Sequence, residues 1–173
     1  MKKIMIVGFS GSGKSTLARQ LGEKLNIVPT HMDALYWKPG WVESSTEEHI
    51  EKLKPILQRD EWVIEGSYRR VLYRERLHDA DTVIFLDMNR FLCFYRVIKR
   101  RILYRGRTRP DMGEGCPEKL DFEFAKWVLW DGRKKRWKLY EDIRLCREMG
   151  KDVWIAKRPK QVRKFLENVE GQR

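Results

Sequence analysis

The stretch Lys3-Ile4-Met5-Ile6-Val7-Gly8-Phe9-Ser10-Gly11-Ser12-Gly13-Lys14-Ser15-Thr16 restricts this chain more than any other. A short apolar run, Ile4 to Val7, reads as a buried strand, and the pattern G-x-x-x-x-G-K-[ST] follows it at Gly8, Gly13, Lys14 and Ser15. Such a loop is a cradle for phosphate. Gly8, Gly11 and Gly13 permit backbone conformations closed to residues with a Cβ, so N–H groups from Ser10 to Thr16 can turn inward around anionic oxygens. The helix that starts near Gly13 adds its positive end, and Lys14 reaches the terminal phosphates as a point charge. Ser15 then offers a hydroxyl to Mg2+, which takes oxygen ligands. Nucleotide binding is the reading these positions support.

The chain after the loop alternates helices and strands. Leu17, Ala18, Leu21 and Leu25 give one apolar face to a helix from Lys14 to Lys24, and Ile27 to His31 reads as a second strand. Asp33 stands just beyond it, either at the ligand edge of a parallel sheet or as a turn former. Leu35 to Trp41 holds three aromatics and a Pro-Gly turn; Trp37 and Trp41 either cover a small core or face the pocket mouth. Ser45 and Glu48 predict a capping box for a helix from Thr46 to Gln58, with Pro55 kinking it or ending it early. Trp62-Val63-Ile64 is a third strand, Thr82 to Leu86 a fourth, and Asp152 to Ala156 the last. Arg90 to Tyr104 has helical spacing, with Arg96 and Arg100 on one face. A long helix is predicted over Lys119 to Met149, with Trp127, Trp130, Trp137 and Tyr140 on its apolar side and Gly132 as a dividing point. A final helix opens at Lys157-Arg158-Pro159. Five strands separated by helices predict an α/β fold whose parallel sheet is covered on both faces.

At 173 residues the chain has room for one domain, residues 1–173, with an insertion at about 33–60. No apolar run is long enough to span a bilayer, and Met1-Lys2-Lys3 leads straight into the first strand without a secretory signal, so a cytoplasmic protein without a membrane partner is expected. Cys93, Cys116 and Cys146 are odd in number and far apart, which predicts reduced thiols.

The net charge of +12 has two explanations: a nucleic-acid surface, or a pocket for several phosphates. Seven cations fall between Arg96 and Arg109, in one block that ends in the Gly- and Pro-rich segment Arg105 to Pro117. Placed after a cationic helix, that segment reads as a mobile lid over about 105–118, whose Arg105, Arg107 and Arg109 arrive on closure.

The phosphate loop, Asp87 followed nine positions later by Arg96-Val97-Ile98-Lys99-Arg100, and the Arg-rich lid resemble the nucleoside monophosphate kinases, adenylate kinase above all. The segments His31 to Trp41 and Tyr104 to Pro117 are similar to hallmark stretches of bacterial DNA topology modulation proteins, an adenylate-kinase-like group. The resemblance covers nearly the whole chain. It implies a P-loop NTPase fold with strand order 2-3-1-4-5 and a lid, and ATP with Mg2+ as cofactors. By the same resemblance Arg96 stacks on adenine, Lys157 lies along the adenine ring, Arg100 contacts phosphates, and Arg105, Arg107 and Arg109 close on the moving phosphoryl group. Glu65-Gly66-Ser67-Tyr68-Arg69 occupies the place of an acceptor motif, with Glu for the usual Asp and without its Pro-Arg pair, which departs from an AMP site.

The expectation is a Mg2+-dependent transfer from ATP to a nucleotide or other small acceptor. Lys14, Arg100 and the lid arginines serve as catalytic cations, Ser15 and Asp33 as the metal side, and Asp33, Trp37, Glu65, Gly66, Tyr68 and Arg69 as the acceptor side. The rival is an ATP-binding regulatory or DNA-associated protein. The densest cations lie in the predicted lid and no DNA-reading motif is visible, so nucleic acid is the less favoured partner.

Overall fold

The computed structural model describes residues 1–170. Five strands form the main sheet: β1 (Lys3–Gly8), β2 (Thr30–His31), β5 (Trp62–Glu65), β6 (Thr82–Leu86) and β7 (Asp152–Ala156). All neighbours are parallel and the order is β2-β5-β1-β6-β7. Counted along the chain within this sheet, that is 2-3-1-4-5, the expected order. Two further strands, β3 (Trp37–Lys38) and β4 (Val42–Glu43), make a small antiparallel hairpin outside the sheet.

Strand alternation feeds two cores. Ile4, Ile6, Val63, Ile84 and Leu86 point to one face, against α1 (Lys14–Leu25), α5 (Arg90–Leu103), α6 (Phe122–Leu129) and α8 (Pro159–Glu170). Met5, Val7, Ile64, Val83 and Phe85 point to the other, against α3 (Thr46–Leu57), α4 (Tyr73–Asp79) and α7 (Arg136–Glu148). Burial on both faces is why these strands read as unbroken apolar runs. It leaves the carboxyl ends of the strands, not their faces, for ligands. A short helix, α2 (Met32–Tyr36), joins β2 to the hairpin.

Local chemistry sets the helix ends. In α3 the Ser45 hydroxyl accepts from the Glu48 N–H and the Glu48 carboxylate accepts from the Ser45 N–H, the predicted capping box. Pro55 lies inside that helix, which ends two residues later at Leu57. Asn89 caps α5 by accepting from Phe91 N–H at 2.8 Å.

Two expectations need correction: the second strand is only Thr30–His31, and the tryptophans of the region 119–149 do not share one buried face. That region divides at the expected Gly132 into α6, a 3-10 turn at Asp131–Arg133 and α7. Gly132 allows the break, because a Cβ there would meet the Trp127 side chain at 2.9 Å. The turn sends Arg133 inward to lie 4.2 Å over the Phe9 ring and donate to the Met88 carbonyl at 2.9 Å. Broken there, the helix cannot keep one apolar side: Trp127, Trp130 and Trp137 are 44%, 54% and 56% exposed, while Tyr140 packs edge-on against Phe85. Among the described residues no helix is long and apolar enough to cross a membrane.

Candidate active site

Gly11 and Gly13 take positive φ values of 74° and 99°, which turn the loop after β1 around the start of α1. The bend is held from outside, since a Cβ on Gly11 would lie 2.3 Å from the Cys93 carbonyl oxygen of α5. Ser12 N–H donates to Phe9 O at 3.1 Å, and Lys14 Nζ bonds the same carbonyl at 3.2 Å. The Ser12 hydroxyl is buried and has no hydrogen-bond partner among the described residues.

Residues 10–16 of this loop line one side of a cleft of about 430 Å³. Arg96, Lys99 and Arg100 reach it from α5, Arg109 and Asp111 from the Arg-rich segment, and Asp33 from the β2 edge. Pro159 and Val162 add apolar surface to the lining. Gly8 lies beneath the loop, where its missing side chain leaves room for the Leu86 carbonyl.

Two of the α5 cations are already bonded. Arg96, the residue expected to stack on adenine, donates through Nη1 to Ser12 O at 2.9 Å. Arg100 Nε donates to Glu118 Oε1 at 2.6 Å, and Arg109 pairs with the other oxygen, Glu118 Oε2, at 2.6 Å and with Asp111 Oδ2 at 2.8 Å. One buried carboxylate thus holds two arginines side by side. Burial lowers the Arg100 pKa, and the neighbouring Arg109 charge lowers it further.

The Arg-rich segment is a packed tongue, not an open loop. Thr108 and Pro117 form a bridge, and Glu118 N–H donates to Arg107 O at 3.1 Å. The tongue rests on the β3–β4 hairpin: Gly40 N–H donates to Gly115 O at 2.8 Å, Trp41 Nε1 to Pro117 O at 3.0 Å, and Cys116 Sγ to Lys38 O at 3.1 Å. Gly113 packs so closely that a Cβ would stand 2.3 Å from Trp37 O. Arg105 and Arg107, on the same segment, are exposed and do not line the cleft. Lys157 is also exposed, its backbone N–H capped by Gln161 Oε1 at 2.7 Å.

Across the cleft, the ends of β2 and β5 bring carboxylates together. Ser15 Oγ donates to Glu65 Oε1 at 2.9 Å, and His31 Nδ1 lies 3.0 Å from the same oxygen. Tyr68 donates to Asp33 Oδ1 at 2.6 Å. Surrounding protein raises the Asp33 pKa, and the Glu65 charge raises it further. Burial works the same way on Glu65, but the His31 hydrogen bond and the Lys14 charge outweigh it and hold Glu65 low. Asp111 also stays low: burial opposes, and the Arg109 charge and a Ser15 hydrogen bond prevail. Residue types alone give no hint of His31, Asp111 or Glu118, because a lone carboxylate or imidazole has no distinguishing spacing.

The turn after β5 is fixed by Arg76. Fully buried, it donates to the carbonyls of Gly66, Ser67 and Tyr68 at 2.8, 2.9 and 3.1 Å, and burial brings its pKa down to about 10. Tyr68 adopts a positive φ of 24° there, which aims its hydroxyl at Asp33. Arg69, on the outer side, pairs with Asp142 and lies 4.6 Å over Tyr73. Trp37 belongs to an aromatic group: it meets Tyr36 and Trp41 edge-on at 5.0 and 5.3 Å, and Tyr36 in turn approaches Tyr68 and His49.

These residues suit a polyphosphate with a hard cation. The loop, the α1 start and the cations Lys14, Arg96, Arg100 and Arg109 face one volume, and Ser15 has carboxylates beside it. Among the described residues no group of three or more His, Cys, Asp or Glu is disposed to hold a metal ion. Mg2+ bound chiefly through phosphate and water does not require one.

The sheet order, the loop after β1 and the helices on both faces define the P-loop kinase fold. Shikimate kinase from Acinetobacter baumannii, in complex with shikimate, superposes with a TM-score of 0.63 at 21% identity, covering 98% of this chain and 90% of that one. Shikimate kinase from Bacteroides thetaiotaomicron gives 0.59 at 17%, covering 98% and 96%. At such identities the likeness establishes the fold. No protein-family model matches the chain, and no curated protein matches it by sequence.

Proposed function

We propose that this chain is a Mg2+-dependent phosphotransferase that moves the γ-phosphoryl group of ATP to a small acceptor, as a cytoplasmic enzyme of the adenylate-kinase-like type. One observation carries the reading: four separate chain segments bring Lys14, Arg100, Arg109 and Asp33 to a single cleft at the start of α1. Phosphoryl transfer needs alignment and charge neutralisation more than covalent help, and this is a set of aligned charges. In this reading residues 10–16 hold the triphosphate, Ser15 ligates Mg2+ with Asp33 or Asp111 orienting its water, and Arg100 and Arg109 stabilise the transferred group. Arg96 and the Pro159 end flank the base. The chain works as one domain, with residues 33–60 as the acceptor insertion and 105–118 as the lid; Arg105 and Arg107 join the site only if the lid moves further. Three buried free cysteines fit a reducing compartment. The test is a coupled ADP-release assay over candidate acceptors beside calorimetry with ATP, and an unchanged ATP affinity in Lys14→Ala would overturn the assignment.

A second reading, an ATP-binding protein associated with DNA and akin to the DNA topology modulation group, is favoured by one surface. Phe91, Tyr95, Ile98 and Ile102 form an exposed stripe on α5, a helix with no acidic residue. Stacking side chains among cations are what a single strand engages. Duplex and single-strand titrations across salt concentrations, with and without ATP, separate this reading from the first.

A further inference from the structure

Arg100 and Arg109 come from different elements, α5 and the tongue, and meet at one carboxylate. Glu118 reaches them from the second limb of the tongue, where its N–H donates to Arg107 O at 3.1 Å beside the Thr108–Pro117 bridge. Its side chain is 2% exposed and lies outside the lining of the cleft, whereas both arginines belong to that lining. The carboxylate therefore holds the pair from behind.

The two arms are held differently. Arg100 Nε donates to Oε1 at 2.6 Å, and its side chain makes no other hydrogen bond among the described residues, which leaves both Nη groups for a ligand. Arg109 Nε stands 2.6 Å from Oε2 without the alignment of a hydrogen bond, so charge holds that arm. Two guanidinium groups this close repel, and burial removes the water that would screen them. Burial, and then the Arg109 charge, depress the Arg100 pKa. Without an anion between them the arginines would part, and Arg109 would turn to its other partner, Asp111, at 2.8 Å.

A pair gathered on the two oxygens of one carboxylate is close enough to reach two oxygens of one phosphoryl group from the opposite side. An amide cannot replace that carboxylate. It has one accepting oxygen and a donating NH2, so it keeps one arginine Nε and repels the other.

We infer that Glu118 is a positioning residue that sets Arg100 and Arg109 on one terminal phosphoryl group, and so makes the cleft select a nucleoside triphosphate over the diphosphate. This rests on the phosphotransferase reading above. Glu118 touches neither reactant and acts through the two arginines. In that reading the loop grips the phosphates common to both nucleotides, and the terminal group of the triphosphate alone depends on the arginine pair.

The experiment is calorimetry with Mg2+ and either ADP or the β,γ-imido analogue of ATP, on the native chain, Glu118→Gln and Glu118→Asp. The native chain should bind the triphosphate analogue more tightly than ADP. In Glu118→Gln that preference should fall about fivefold or more, with ADP affinity held within about threefold and the binding stoichiometry unchanged. Glu118→Asp, which keeps the charge but shortens the reach, should fall between the two. A residue that merely braces the fold would instead lower both affinities, or the stoichiometry, together. If near-ultraviolet circular dichroism shows Glu118→Gln unfolded, Glu118→Asp decides alone. An unchanged preference in the folded variants overturns the inference, and so does a native chain that binds both nucleotides equally. In either case weaker binding in Lys14→Ala leaves the kinase reading standing. Binding of neither nucleotide, with no difference between the native chain and Lys14→Ala, overturns that reading itself.

Discussion

Ser15 donates its hydroxyl to Glu65 at 2.9 Å, joining the phosphate loop to the end of β5 across 50 positions of sequence. The contact sets the side chain expected to meet Mg2+ against a carboxylate that the Lys14 charge and His31 keep ionised. Glu65→Gln keeps the shape and removes the charge. Turnover should fall about 10–100-fold, with ATP affinity nearly unchanged, the usual cost of losing a group that orients a metal ligand. Steady-state kinetics across Mg2+ concentrations, with calorimetry, checks this, and chelation of divalent ions should abolish turnover in both proteins.

Lys14→Ala removes the point charge from the cradle. Turnover should drop by about 10²–10³-fold or more, and ATP should bind more weakly. Lys14→Arg should not restore it, because a planar fork cannot sit where a compact ammonium does.

His49 supplies a pH prediction. It is fully buried among Tyr36 and Tyr68, neither ring nitrogen has a hydrogen-bond partner among the described residues, and burial lowers its pKa to about 4. Between the unfolded value near 6.5 and the folded value near 4, only the unfolded chain binds this proton. Stability should therefore fall as pH drops through that window, by up to about 3 kcal/mol, and level off below it. His49→Phe should remove this component from urea midpoints measured at pH 4 to 7.

The tongue and hairpin can be separated sterically. Gly113→Val would drive a side chain into the Trp37 carbonyl, at a cost of about 1–3 kcal/mol relieved by parting the two segments. Turnover should fall while ATP still binds. Labelling of Cys116, buried in this contact, should speed up severalfold when peptides are mapped by mass spectrometry, with Cys93 and Cys146 unchanged.

Arg76→Met should lose about 2–4 kcal/mol of stability, since three carbonyls lose their donor at once. The loss should appear in the denaturation midpoint, and Arg76→Lys, with one nitrogen in place of a fork, should recover only part of it.

Much of this was legible in the residues. The loop, four of the five strands and the Ser45–Glu48 cap are local patterns that appear where their spacing put them, while the second strand is shortened to Thr30–His31. The hairpin was not, because strands of two residues have no measurable alternation. Helix α4 was missed, as its Leu72 cap adopts a left-handed conformation that nothing in a leucine announces. The division at Gly132 was foreseen as an option, but the exposed tryptophans were not: an aromatic at helical spacing reads as core until its helix is known to stop. In the site, the glycines, Lys14 and Ser15 have positional signatures. The Arg100–Glu118–Arg109 bridge and the Gly40–Gly115 contact depend on how distant segments meet, which spacing does not encode.

The contact of Gly11 with the Cys93 carbonyl bears on how such a protein can diversify. Because the bend of the loop is wedged against α5, the half proposed to hold the triphosphate is a jig whose settings are fixed by the sheet and that one helix. In the reading proposed above, the insertion at residues 33–60 chooses the other reactant and can be recut without resetting that grip, whereas Glu65, bonded to Ser15, cannot. New specificities should therefore arise by exchanging the insertion alone, with the nucleotide grip inherited unaltered.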